Sequence, residues 1–222
     1  MVRALPRLVL ALAALGIPAA VLAQGVALTP KLGSTGAGAD LTIGLARTVN
    51  VRLGAQGWTR DETRTEQEIE YDARLRLLSG QVLFDLHPGG GGFRVSAGVL
   101  INGNELTAVS TEDAVYTING TRYPVGLVGR LRGSVETEPI APYLGIGWGN
   151  AVSPGSRWRL AVDVGAFYQG EPEVSLTAEP LIPILVPDEF FEDLEEERRE
   201  IEEDVSGYTV YPVVSIGLSY RF

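Results

Sequence analysis

The chain has 222 residues, with 18 Lys+Arg against 28 Asp+Glu, a formal net charge of −10, one His, one Met and no Cys. That balance speaks against nucleic acid, whose phosphates demand a basic face. The missing cysteines exclude disulfides and a lipoprotein anchor, and with a single imidazole no cofactor or metal is expected.

The first residues decide the compartment. Arg3 and Arg7 precede an apolar run, Leu8 to Ile17, that is too short to span a bilayer, and Val21-Leu22-Ala23 follows. Residues 1–23 therefore read as a secretory signal peptide cleaved before Gln24. The alternative is an uncleaved anchor, and Pro18 interrupting the stretch speaks against it. Without the two leader arginines the mature chain, 24–222, carries a net charge of −12 and has the length of one domain. Past the leader no segment approaches eighteen consecutive apolar residues, yet the chain is 45% hydrophobic with 27 Gly. A closed β-barrel is then the main way left to reside in a membrane.

From Val26 onward, period-two alternation recurs between turn signals. Eight strands are predicted: Val26–Leu32, Ala37–Ala46, Val49–Arg60, Tyr71–Leu86, Phe93–Leu106, Arg132–Gly149, Trp158–Gln169 and Tyr208–Phe222. Arg47-Thr48, His87-Pro88 with Gly89 to Gly92, and Ser153 to Ser156 are short turns; Asp61–Glu70, Thr107–Leu131 and Gly170–Gly207 are long loops. Short and long alternate as periplasmic turns and extracellular loops do. The start is open: Gly33–Gly36 is either a tight turn or the middle of one long first strand, which would give an odd count. In the fourth strand Leu75 and Leu77 fall out of phase with Val82 and Phe84. A bulge near Leu78-Ser79 would account for that, as would an outer strand end clear of lipid that carries Arg74 and Arg76.

One parity is apolar and reads as lipid-facing: Val26, Leu28, Leu32, Leu41, Ile43, Leu45, Val82, Phe84, Ile101, Leu144, Leu160 and their neighbours. Phe93, Trp148, Trp158, Tyr220 and Phe222 fall at strand ends beside short turns and read as an interfacial girdle. The opposite parity collects Lys31, Asp40, Arg52, Asp85, Arg94, Arg159, Asp163 and Arg221. Eight strands leave an interior that side chains can just fill, so these are expected to pair as a charge network in the lumen. The expected fold is all-β: an eight-stranded antiparallel transmembrane barrel with a short acidic helix in the last extracellular loop.

That helix is PDEFFEDLEEERREIEEDVSG, 187–207. Phe190, Phe191, Leu194, Ile201 and Val205 recur at helical spacing, with eleven acidic and two basic residues between 188 and 204. It reads as a solvated amphipathic helix on the barrel mouth; its carboxylates could instead bridge lipopolysaccharide phosphates through divalent cations or meet a basic partner. Thr117 to Tyr123 reads as a hairpin turning at Asn119-Gly120, either to order the loop or to recognise something. His87 sits in a predicted periplasmic turn with no base or nucleophile readable beside it, so no enzymatic activity is expected.

The terminal SYRF and the segments GAGADLTIGLARTVNVRLG, APYLGIGWGN and YPVVSIGLSYRF resemble the outer membrane protein A-like transmembrane barrels and their uncharacterised Gram-negative relatives, over nearly the whole mature chain. The resemblance implies a monomer in the Gram-negative outer membrane, contacts with its lipid and lipopolysaccharide, and recognition of Tyr220 and Phe222 by the barrel assembly machinery. No peptidoglycan-binding domain follows, so the anchoring role of the long members is not carried over. Architecture in this family is shared by adhesins, solute channels, lipid enzymes and structural proteins. A structural or surface-interaction role is expected first, a narrow passive channel for ions or small solutes second, and a lipid-modifying enzyme last.

Overall fold

The structure is a computed structural model that describes residues 25–66, 69–110, 115–180 and 182–222; the leader over 1–23 and its cleavage site lie outside the described residues. In chain order come β1 (Val26–Gly33), β2 (Gly36–Ala46), β3 (Val49–Glu66), β4 (Ile69–Leu86), β5 (Phe93–Asn102) and β6 (Glu105–Ser110). A hairpin of β7 (Val115–Ile118) and β8 (Thr121–Pro124) leads into the single turn α1 (Val125–Val128). Then follow β9 (Arg130–Glu136), β10 (Ile140–Trp148), β11 (Trp158–Tyr168), β12 (Glu173–Glu179), the helix α2 (Asp188–Val205) and β13 (Val210–Arg221). Among the described residues no helix is long and apolar enough to cross a membrane.

Eight strands close a ring in the order β4-β3-β2-β1-β13-β11-β10-β5, with β5 returning to β4. The first and last strands seal it antiparallel, Ala27 facing Arg221 and Gly33 facing Ser215. The count is therefore even, and a single long first strand is ruled out. β1 and β2 are separate, joined through Ser34-Thr35, with Gly36 at φ +106°, where a Cβ would lie 2.5 Å from the Gly57 backbone.

Outward parity is apolar across the whole ring, as shown by Ile101 (61% exposed), Ile140 (64%) and Leu144 (66%). A closed barrel wearing such a belt has lipid as its natural second layer. Two of the predicted outward residues, Val26 and Ile43, instead face each other across β1 and β2 and are buried.

β3 and β4 are 18 residues each, while about 10 cross a bilayer, so roughly half of each stands clear of it. They keep one register from Val49–Leu86 to Glu66–Ile69. There is no bulge at Leu78-Ser79; the outer end carrying Arg74 and Arg76 has left the belt. The register irregularity lies elsewhere, between Gly44 and Ala46 of β2 against β3.

The predicted fifth and sixth strands are each interrupted and run further than expected. β5 and β6 meet β4 in the same step, Ser79 facing Asn102 and Arg76 facing Glu105. At the interruption the Leu78 amide donates to Asn104 Oδ1 at 3.1 Å and Gly103 N donates to the Leu78 carbonyl at 2.8 Å. β9 and β10 likewise follow β6 and β5 in one register. With β12 added beside β9, the barrel wall rises on one side as a sheet of β3, β4, β6, β9 and β12.

Candidate functional site: the lumen and the extracellular cap

Inside the ring the inward parity is stratified. At mid-height Arg52 of β3 reaches Asp163 of β11 through Nη1 at 3.0 Å and Asp85 of β4 through Nη2 at 3.0 Å, and lies 3.5 Å from Asp40 of β2. Arg94 of β5 donates to Asp163 at 2.8 Å and to the Gly149 carbonyl, while Lys31 of β1 pairs with Asp40 at 3.0 Å. Neutral donors complete the acceptors: Ser96 to Asp85 at 2.6 Å, Gln81 to Asp40 at 2.8 Å and Ser215 to Asp163 at 3.4 Å. Three cations thus meet three carboxylates, all buried, from six strands. A buried charge stripped of partners is costly, so equal numbers and shared hydrogen bonds are what make such a cluster tolerable. Glycine provides the room: a Cβ on Gly54 would lie 2.0 Å from Asp40 Oδ1, and one on Gly147 would lie 2.9 Å from Arg94 Nε.

Of the eight lumen charges predicted from parity, six meet in this cluster and two do not. Arg159 donates to the Pro154 carbonyl at 2.8 Å, and Arg221 to those of Val152 and Ser153 at 3.3 and 2.9 Å. They stand on the last inward rungs, where the nearest acceptors are the open carbonyls of the β10–β11 turn. At the same mouth His87 is buried, with Nδ1 3.2 Å from the Phe93 carbonyl and Nε2 3.0 Å from Asn50 Nδ2. Asn50 also donates to Asn150 Oδ1 at 3.3 Å. With the Asn50 amide donating, Nε2 accepts and the proton sits on Nδ1. Burial, the dominant cause, lowers the His87 pKa from its ordinary value.

Toward the outside the same inward positions turn apolar. Leu83, Leu100, Ala141, Tyr143, Phe167 and Val213 form one buried cluster, with Tyr211 stacked on Phe167 at 5.0 Å and 13°. Reading the parity for charge alone passed over this layer. Its signal was there, since these six positions alternate with the lipid-facing ones.

Of the predicted girdle, Trp148 faces Phe93 across β10 and β5, and Trp158 faces Tyr220 across β11 and β13 with rings 4.8 Å apart. Phe222 packs edge-on against Tyr220 at 5.4 Å. All five therefore lie together near the short turns.

Above the barrel, a second hydrophobic core forms on the lumen-side face of the raised wall. Tyr116, Ile118 and Tyr123 of the hairpin, Val128 of α1, Leu131 of β9, and Phe190 and Leu194 of α2 bury one another, with Tyr123 edge-on to Phe190 at 4.9 Å. Ser110 of β6 ties the hairpin to the wall, its hydroxyl 2.7 Å from the Tyr116 hydroxyl and accepting from the Leu131 amide at 2.9 Å. The hairpin tip docks on the acidic face of α2. Asn119, at φ 47°, donates its backbone N–H to Glu197 at 2.9 Å and its side chain to Asp193 and Glu196 at 3.2 and 2.5 Å. The Tyr123 hydroxyl donates to Asp193 at 2.5 Å. That bond is the main cause of both shifts: the Tyr123 pKa is pushed up to about 12 and that of Asp193 is held below the usual carboxylate range. The helix thus has one apolar face in the cap core and a row of carboxylates receiving the hairpin. Among the described residues no group of three or more His, Cys, Asp or Glu is placed to hold a metal ion.

No family model matches this chain. No curated protein matches it either. Among solved structures it is similar to CarO2 of Acinetobacter baumannii, at 24% identity and a TM-score of 0.57, covering 89% of this chain and 98% of that one. CarO of the same organism matches at 23% identity and a TM-score of 0.55, with the same coverage. At these identities the likeness bears on architecture, and it agrees with the ring traced above: the chain has the fold of the eight-stranded outer-membrane β-barrels.

Proposed function

We propose that this chain is a monomeric outer-membrane barrel whose lumen is closed by its own side chains and whose role, structural or surface-interacting, is exerted by the extracellular cap. The observation that supports the reading is the lining of the interior: a charge-balanced cluster from six strands lies beneath an apolar cluster from five. The cluster is balanced, three cations against three carboxylates, and the extracellular cap carries a core of its own. Export through the leader, handling by the assembly machinery through Tyr220 and Phe222, and embedding among lipid and lipopolysaccharide belong to this reading.

A narrow passive channel is the second reading. It is favoured by the charged, hydrogen-bonding character of the mid-lumen, which could rearrange into a polar path. Single-channel recording of the refolded mature protein in a planar bilayer, with an unboiled gel shift to certify folding, separates the two. The proposal expects silence. Steady, ion-selective steps would overturn it and make the Arg52 cluster the conducting element.

A further inference from the structure

Two Asn-Gly pairs occur in the chain, Asn102-Gly103 and Asn119-Gly120. Such a pair carries a covalent liability of its own, because a glycine nitrogen has no side chain beside it to hinder attack on the asparagine Cγ. The N–Cγ bond forms, the Cγ–Nδ2 bond breaks, and the nitrogen's proton leaves with the amide group as ammonia. Water then opens the cyclic imide, either at Cγ to give Asp or at the backbone carbonyl to give isoaspartate, whose main chain takes the longer route through Cβ. The structure places the same dipeptide in opposite environments. At the joint between β5 and β6, Asn102 is 5% exposed, its Nδ2 donates to Thr137 Oγ1 at 2.7 Å and its Oδ1 accepts from the Asn104 amide at 3.3 Å. The attacking atom is occupied as well, since Gly103 N donates to the Leu78 carbonyl at 2.8 Å. Asn119 and Gly120, in contrast, are exposed at the tip of the hairpin, with φ 47° and 79°, the positive angles of a two-residue Asn-Gly turn. The ladder of β7 and β8 closes at Ile118 opposite Thr121 and leaves Gly120 outside it; chain neighbours apart, no atom lies within 4 Å of where a Gly120 Cβ would be.

What holds Asn119 is the acidic face of α2, and in every bond Asn119 is the donor: Nδ2 to Asp193 at 3.2 Å and to Glu196 at 2.5 Å, the backbone N–H to Glu197 at 2.9 Å. Ring closure requires the amide to leave those two carboxylates and turn its Cγ to the Gly120 nitrogen. A docked hairpin is therefore protected and an undocked one reactive. The product cannot return to the same seat. An ionised aspartate has no side-chain proton to donate, so two hydrogen bonds give way to a carboxylate set against Asp193 and Glu196. Isoaspartate also lengthens the backbone within the two-residue turn. We infer that Asn119 is a deamidation site guarded by α2, and that its conversion releases the hairpin from the acidic helix irreversibly. The cap thus carries a one-way switch: each opening exposes Asn119, and a converted hairpin does not dock again. This chemistry is the chain's own and operates whatever the cap recognises.

The mature protein, refolded in detergent micelles, is incubated in mildly alkaline buffer, and peptides containing Asn102 and Asn119 are followed by mass spectrometry for loss of the amide nitrogen. Asn119 is expected to convert while Asn102 stays intact. In Phe190→Ala, which loosens the cap, conversion of Asn119 should be roughly tenfold faster or more. If that variant fails to fold, Tyr123→Phe, which loses the bond to Asp193, takes its place with a several-fold acceleration. Proteolysis within 115–128 should rise in step with conversion in the parent, and Asn119→Asp should be cleaved at the faster rate from the start while its heat-modifiable barrel band persists. Asn102 converting as fast as Asn119, or equal rates at Asn119 in parent and loosened variant, would overturn the guarding by α2. An Asn119→Asp hairpin as protease-resistant as the parent would overturn the switch.

Discussion

Replacing Asp163 by Asn changes almost no volume but removes the carboxylate shared by Arg52 and Arg94, at 3.0 and 2.8 Å. The lumen is left with Lys31, Arg52 and Arg94 against Asp40 and Asp85 alone. Removing one partner of a buried ion pair costs about 3–5 kcal/mol, because the charge left behind stays dehydrated. With a urea slope of about 2 kcal/mol/M, the unfolding midpoint in vesicles should fall by about 2 M. Deleting a cation as well, in Arg94→Met with Asp163→Asn, restores two against two and should recover about half of the loss as a coupling energy. Tryptophan emission during urea unfolding reads both numbers, and planar-bilayer current reads any leak the single variant opens. A single-variant cost under about 1 kcal/mol with additive double-variant behaviour would refute the view that charge balance governs the lumen.

Gly54→Val would drive its branched side chain into Asp40 Oδ1, 2.0 Å from the Cβ position, and should cost about 1–3 kcal/mol in the same unfolding assay. Phe190→Ala empties the centre of the cap, where the ring is fully buried; about 3–5 kcal/mol of local stability should go, seen as rapid proteolysis within 115–128 and 188–205 while the heat-modifiable barrel band persists. The raised Tyr123 pKa means its contribution to docking is full below about 10, the ordinary tyrosine value, and is lost as pH rises through about 12. Asp193, with its pKa depressed, contributes above about 4 and loses that contribution as pH falls through its lowered value. Phenolate absorbance should therefore contain a late-titrating component, contributed by Tyr123, that moves toward 10 in Asp193→Asn; an unchanged titration would contradict the bond. His87, with its pKa lowered by burial, favours the folded state above about 6.5 and loses that preference as pH falls through its depressed value, so acid should loosen the mouth in the parent and not in His87→Gln.

The barrel was legible because lipid and lumen impose period two on every strand, so Ile216, Leu218 and Tyr220 against Ser215, Gly217 and Ser219 state their faces outright. The same parity located Arg52, Asp85 and Asp163, three residues far apart in sequence that meet within hydrogen-bonding distance. It could not say that Arg159 and Arg221 would turn to carbonyls, because height along the barrel depends on strand tilt and stagger rather than on alternation. The cap was half visible. The Asn119-Gly120 turn and the Phe190–Leu194 spacing gave a hairpin and a helix, but nothing in either segment says that Tyr123 packs on Phe190, a contact set by the wall that carries both. Above the lipid the period-two rule changes meaning, and this is why Leu75 and Leu77 looked out of phase while the strand ran on undisturbed.

The unbroken step between barrel and raised wall restricts how this molecule can vary in length. One residue added at Gly103-Asn104 would invert every side chain of β6, turning Ser110 away from Tyr116 and aiming Thr107 and Val109 into the cap. Two residues added there would slide the strand by a rung and keep its faces. Descendants of this chain can therefore lengthen the wall at that joint in pairs, whereas single insertions are confined to the turns above it.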